Sequence, residues 1–176
     1  MPTAIFSNRI KYMNVGYKTV KYGLAGLLTT LTVGVCQASD NQHNTLEQSN
    51  LKKALYCMDI LENRPELEPS QRIDILRNEC FAENYIQHSP HVADGRDAVL
   101  SLFAKRFKNS PKITTSVKRT ASEGDLVWIH QHVKRTPEAL GRSVINIFRM
   151  QDGKFAEHWN LGQAVPEKSK NNNTMF

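Results

Sequence analysis

Residues 112–121 (KITTSVKRTA), 126–135 (LVWIHQHVKR), 142–150 (RSVINIFRM) and 154–162 (KFAEHWNLG) decide the fold. Polar and apolar side chains alternate along them, the period of half-buried strands. Ser122-Glu123-Gly124-Asp125, residues 136–141 and Gln151-Asp152-Gly153 separate them, the last a tight hairpin turn. Four strands joined by such short connections make an antiparallel run.

Upstream the period is helical. Leu51, Ala54, Leu55, Met58 and Leu61 share one face of a helix over residues 50–62, with Asn50 as its cap. Pro69 and Ser70 open a second helix with Ile73, Leu76 and Cys80 on one side. Residues 85–90 are short and extended, since Pro90 turns Ser89 away from helix. Asp94 could cap a third helix over residues 96–107, whose apolar face is Val99, Leu102, Phe103 and Phe107. Helices followed by a run of strands predict an α+β domain, a curved sheet wrapped around helices with a cavity between.

The chain has 176 residues, 40% of them hydrophobic and 23% charged, enough for one ordinary domain and hardly two. Its net charge of +6 is uneven: residues 1–38 hold Arg9, Lys11, Lys18 and Lys21 and no acid. Without those four, 19 basic residues face 17 acidic ones, too slight an excess for a nucleic-acid footprint, so no nucleic-acid partner is expected. Residues 24–35 (LAGLLTTLTVGV) are uncharged but shorter than the roughly 20 residues of a membrane-spanning helix. With the basic flank and Cys36-Gln37-Ala38 they read as a secretory signal peptide over residues 1–38, cleaved after Ala38, with Met13 as an alternative start. The expected mature chain is exported, periplasmic or secreted, with no stable membrane span. Its parts are a flexible lead-in over 39–49, a domain over 50–166 and a disordered polar tail over 167–176. Cys57 and Cys80 remain after cleavage, and an even count in an oxidising compartment favours a bridge; two buried thiols are the alternative.

Strand parity sorts the polar side chains. Trp128, His130 and His132 share one face, opposite Val127, Ile129 and Val133; His158 and Asn160 share another, opposite Phe155, Glu157 and Trp159. Asn146 sits between Val144 and Phe148 on one face, a costly place for an amide unless it is hydrogen-bonded. His130 and His132, with His88 or His158, could hold zinc, but no Cys or carboxylate stands at a familiar metal spacing, and no metal site is assigned. Nucleophile-elbow, phosphate-loop and His-Glu-x-x-His motifs are missing from the sequence, which argues against the common hydrolases, nucleotide-binding proteins and metalloproteases.

Three groups of residues together carry a resemblance. The first is Tyr85-Ile86-Gln87-His88-Ser89-Pro90 followed by Asp94-Gly95-Arg96; the second is Glu123-Gly124-Asp125-Leu126-Val127 with His130. The third runs from Ile147-Phe148-Arg149 through Asp152-Gly153-Lys154 and Glu157-His158-Trp159 to Gln163-Ala164-Val165-Pro166. In this order they resemble the SnoaL-like polyketide cyclase group of the nuclear-transport-factor-two-like superfamily, especially its aldol-condensation branch. The resemblance covers about residues 50–166. It implies a cone-shaped α+β domain with N-terminal helices packed in a curved antiparallel sheet, a small-molecule pocket and, by analogy, a homodimer.

The resemblance also implies cofactor-independent aldol condensation or cyclisation by acid–base catalysis. Such chemistry needs a base for a proton beside a carbonyl and a donor for the enolate oxygen. The family's carboxylate before the Ile/Leu-Phe-Arg triplet is Asn146 here, its Asp after His-Trp is Asn160, and its supporting His falls at His132. On this reading His132 is the base, because imidazole titrates near neutral pH, and Asn146 holds the substrate carbonyl. Tyr85, His88, Trp128, His130, His158 and Asn160 line the substrate pocket. An amide cannot move a proton as a base near neutral pH, so the rival expectation is a non-catalytic ligand-binding or interaction domain of the same fold. An enclosed cavity on which His132 and Asn146 converge favours the enzyme; a filled core favours the rival.

Overall fold

The computed structural model describes residues 32–109 and 113–176, with side chains from residue 45 onward. Helix α1 spans Thr32–Glu62, and α2 spans Pro69–Ile75 and runs on as one π-helical turn, Leu76–Cys80. Strand β1 (Phe81–Gln87) and helix α3 (Arg96–Asn109) follow, then β2 (Thr114–Glu123), β3 (Leu126–Lys134), β4 (Arg142–Gln151) and β5 (Lys154–Ala164). The five strands form one sheet in the order β1-β5-β4-β3-β2. The last four make an antiparallel meander, but β1 lies parallel to β5, so the sheet is mixed rather than wholly antiparallel. A parallel partner needs a crossover; here α3 and the meander supply it.

Helix α1 begins well before Asn50, so residues 39–49, expected as a flexible lead-in, are helical. Asn50 is an interior position whose side chain reaches Gly124 O (3.4 Å) rather than a cap. Asp94 does not cap α3 either. Its Oδ1 accepts from the N–H groups of Gln87 (2.7 Å) and Gly95 (2.8 Å), which ties the loop to the end of β1. Residues 1–31, which carry most of the expected signal peptide, lie outside the described residues. Among the described residues no helix is long and apolar enough to cross a membrane.

Two fastenings position the helices. Cys57 on α1 and Cys80 at the end of the π turn are disulfide-bonded, with Cα atoms 5.6 Å apart. Arg72 on α2 is buried and donates from Nε to Ile60 O (2.9 Å) and from Nη2 to Leu61 O (2.7 Å). Those carbonyls belong to the last turn of α1, which has no intrahelical donors left and carries the negative end of the helix dipole. The same guanidinium lies 3.6 Å from the ring centre of Phe107 on α3, so one side chain joins three helices.

The core lies between the helices and one face of the sheet, where Leu76, Phe81, Leu100, Val127, Ile129 and Phe155 are fully buried. Val127 and Ile129 face this core, so Trp128, His130 and His132 lie on the outer face. The β4–β5 register explains a second surprise. Met150 pairs with Phe155 but Arg149 pairs with Glu157, which leaves Ala156 as an extra residue. This bulge shifts the parity of β5, so that Phe155 and His158 both face inward although they are three residues apart. Phe148 stacks on both, at 3.9 Å and 4.7 Å between ring centres.

The tail expected to be disordered returns to the outer face. The ring of Phe176 stacks on His132 (4.2 Å between centres) and lies 5.8 Å from His130.

Candidate functional site

A cavity of about 770 Å³ opens between α1, α3 and the inner face of the sheet. Its walls are apolar, including Met58, Leu61, Phe81, Phe103, Val144 and Phe148. Across its floor runs a hydrogen-bonded row of neutral polar groups from β1, β5, β4 and β3. Gln87 Nε2 donates to Tyr85 Oη (3.0 Å), and Gln87 Oε1 faces His158 Nδ1 (3.1 Å). His158 Nε2 lies 3.0 Å from Asn146 Oδ1, and Asn146 Nδ2 donates to Gln131 Oε1 (2.7 Å). Tyr85, Gln131 and Asn146 are 3%, 2% and 7% exposed, so this row lies deep.

Burial sets the protonation of His158, and the row then sets which ring nitrogen keeps the proton. As the amides stand, both ring nitrogens face oxygens, which an imidazolium would satisfy and a neutral ring would not. Burial opposes the cation, and with the nearby charge of His88 it pushes the His158 pKa down from 6.5 to about 4. Burial decides, because the row supplies no negative charge to hold a cation there. The N–H of Ser89 donates to Gln87 Oε1 (3.0 Å) and so holds that oxygen towards Nδ1. Nδ1 therefore carries the single proton, and Nε2 presents a lone pair. A half turn of the Asn146 amide places its Nδ2 against that lone pair and its Oδ1 against Gln131, whose amide turns in the same way. Each contact in the row is then satisfied. Tyr85 stays a phenol, its pKa raised by burial and by the charge of Asp94.

The cavity's one acid among the described lining residues is Glu62. Its Oε2 accepts from Arg106 Nη2 (2.5 Å) and Thr115 Oγ1 (3.1 Å). Burial raises its pKa, and Arg106 opposes the rise.

Of the residues singled out from sequence, Tyr85, Asn146, His158 and Asn160 line this cavity. His132, Trp128, His130 and His88 do not. The expectation that His132 and Asn146 converge fails because β3 pairs Ile129, not His130 or His132, with Asn146, which puts the histidines on the opposite face. His132 Nε2 donates to Leu140 O (2.7 Å) and His130 Nε2 lies 2.8 Å from Ser143 Oγ. His88 stacks on Trp159 (4.4 Å between centres) and contacts Glu157 Oε2 (3.0 Å). Among the described residues no three His, Cys, Asp or Glu side chains converge as a metal site. Gln87 and Gln131 were missed as site residues. Gln131 carried the same signal as Asn146, a polar residue between two apolar ones on one strand face.

Residues 70–158 match the SnoaL-like domain, half of the chain, and the protein belongs to that family. Solved structures agree on the fold. A protein of Jannaschia sp. CCS1 assigned as a SnoaL-like polyketide cyclase superposes with a TM-score of 0.51 at 17% identity, covering 66% of this chain and 87% of its own. One of Kribbella flavida assigned as a ketosteroid isomerase gives 0.53 at 13% identity, covering 71% and 85%. The small ribosomal subunit protein uS8 of Lactococcus lactis subsp. cremoris is 26% identical over 122 residues, 68% of this chain and 86% of its own. That identity is too low to assign a family, and the SnoaL-like match and the fold agree with each other instead.

Proposed function

We propose that the protein is an exported small-molecule enzyme that moves a proton beside a substrate carbonyl, an aldol-type or isomerising step without a cofactor. The observation that carries this reading is the place of His158 in the cavity lining, with Nδ1 3.1 Å from Gln87 Oε1, an oxygen that Ser89 N–H holds, and Nε2 3.0 Å from the side chain of Asn146. With the ring kept neutral by burial, Nδ1 carries the proton and Nε2 the lone pair. His158 thereby takes the role first expected of His132. Substrate entering the row displaces the Asn146 contact, Nε2 accepts the proton from carbon, and the freed Asn146 Nδ2 donates to the enolate oxygen. A conjugate acid of pKa about 4 makes a weak base, but bases of roughly that strength suffice when strong donors hold the enolate. The buried disulfide supports export, since such bonds persist in oxidising compartments. Ile145 (41% exposed) and Leu161 (66%) on the outer sheet face support a homodimer, which light scattering would test.

The test is deuterium uptake at the α-carbon of a bicyclic ketone, 1-tetralone, followed by NMR. The wild type should accelerate exchange, and His158→Ala should lose about 10²–10⁴-fold of that acceleration while keeping its fold. His132→Ala, on the far face, should exchange like the wild type. Equal rates for wild type and His158→Ala would refute the assignment. The second reading, binding without turnover, is favoured by the amides at Asn146 and Asn160, where the family has carboxylates.

A further inference from the structure

The polar floor of the cavity is neutral, and its rim is basic. Lys105 on α3, Arg135 just beyond β3 and Arg142 at the start of β4 all line the cavity and are exposed, in contrast to the buried Tyr85, Gln131 and Asn146. The fourth basic lining residue, Arg106, is committed to Glu62. Among the described residues no carboxylate lies within ion-pair distance of Lys105, Arg135 or Arg142. Arg142 Nη2 donates to Gly162 O (3.0 Å), which holds the guanidinium in place and leaves its other N–H groups available. Three exposed cations without a carboxylate partner, on α3, just beyond β3 and at the start of β4, therefore line one cavity, and the described lining sets no free acid against them.

We infer that the ligand of this cavity is an amphipathic organic acid: an apolar body bearing a hydroxyl or carbonyl that reaches the floor, with a carboxylate at the rim. The inference deepens the proposed function by naming the substrate class, and it rests on that reading for the position of the reacting end. Each part of the lining selects one part of such a molecule. The apolar walls favour a ring or chain over a sugar or peptide. The amides, the phenol and the neutral imidazole of the floor favour an uncharged oxygen, because a charge there would be desolvated without a counter-charge. Lys105, Arg135 and Arg142 favour the anion where water still reaches it, and they also steer it towards the opening. A neutral ligand of the same shape would gain nothing from the rim.

The probes are 6-hydroxy-2-naphthoate and its neutral carboxamide, titrated into the full chain by calorimetry at low and high salt. The acid should bind about tenfold more tightly than the amide at low salt, as two or three exposed ion pairs would give. Most of that preference should vanish at high salt. Lys105→Ala/Arg135→Ala should remove most of the preference while binding the amide as the wild type does, which also shows that the variant is folded. Equal binding of acid and amide by the wild type would overturn the inference and leave the pocket standing. Binding of neither probe would overturn the inference together with the pocket. Tight binding of the acid, combined with no deuterium exchange on 1-tetralone by the wild type, would uphold the ligand class and reject the catalytic role of His158.

Discussion

Replacing His158 with Gln tests the electrostatics of the floor without relying on a substrate. In the folded chain burial holds the ring pKa at about 4, against 6.5 when the chain is unfolded and the ring is in water. Between those two values the unfolded state binds a proton that the folded state refuses. Stability contributed by the neutral ring is therefore complete above about pH 6.5, declines as the pH falls towards 4, and changes no further below it. The separation amounts to about 3 kcal/mol over that window. Glu62, whose pKa is raised, contributes with the opposite sign, and Glu157, Asp94 and Asp97, whose pKa values are lowered, contribute with the same sign as His158. All four are present in both proteins, so the difference between wild type and His158→Gln isolates the ring. Urea unfolding followed by Trp fluorescence at intervals from pH 7.5 to 4 gives that difference. The wild type should lose about 3 kcal/mol more than the variant across the series. Parallel curves, within about 1 kcal/mol, would refute the neutral buried imidazole, and with it the tautomer argument.

Asn146→Asp sets a carboxylate beside His158 Nε2 and should raise the ring pKa from about 4 back towards neutrality, read from ring NMR shifts; no rise would show that the two groups are not in contact. Arg72→Leu removes two charged donors from the last turn of α1 and should destabilise by about 2–4 kcal/mol in urea unfolding. Thiol labelling of the unfolded, unreduced chain should find no reactive Cys57 or Cys80, and Cys57→Ser/Cys80→Ser should cost about 2–4 kcal/mol of stability. Gly141→Ala puts a Cβ 2.5 Å from Val133 O at a backbone φ of +83°, so its melting temperature should fall; an unchanged value would show that the β3–β4 connection yields freely.

The α+β class, the order of the helices and the four meander strands were legible in the sequence, because hydrophobic period and turn residues are local properties. Asn146 was legible for a related reason: an amide between Val144 and Phe148 must find partners wherever that face is buried. The sequence read strand by strand shows that β3 has two faces, but not which one the helices cover. Choosing the histidine face put His132 inside, whereas the apolar residues Val127, Ile129 and Val133 mark the inner face and carry Gln131 with them. Tertiary structure alone decided the rest. The extra residue at Ala156 brings Phe155 and His158 to one side against simple alternation, and such a bulge exists only in the pairing of β5 with β4. The parallel placement of β1 beside β5 carries Tyr85 and Gln87 to His158, across more than seventy residues of chain. Long-range pairing sets these neighbours, and no local pattern encodes it.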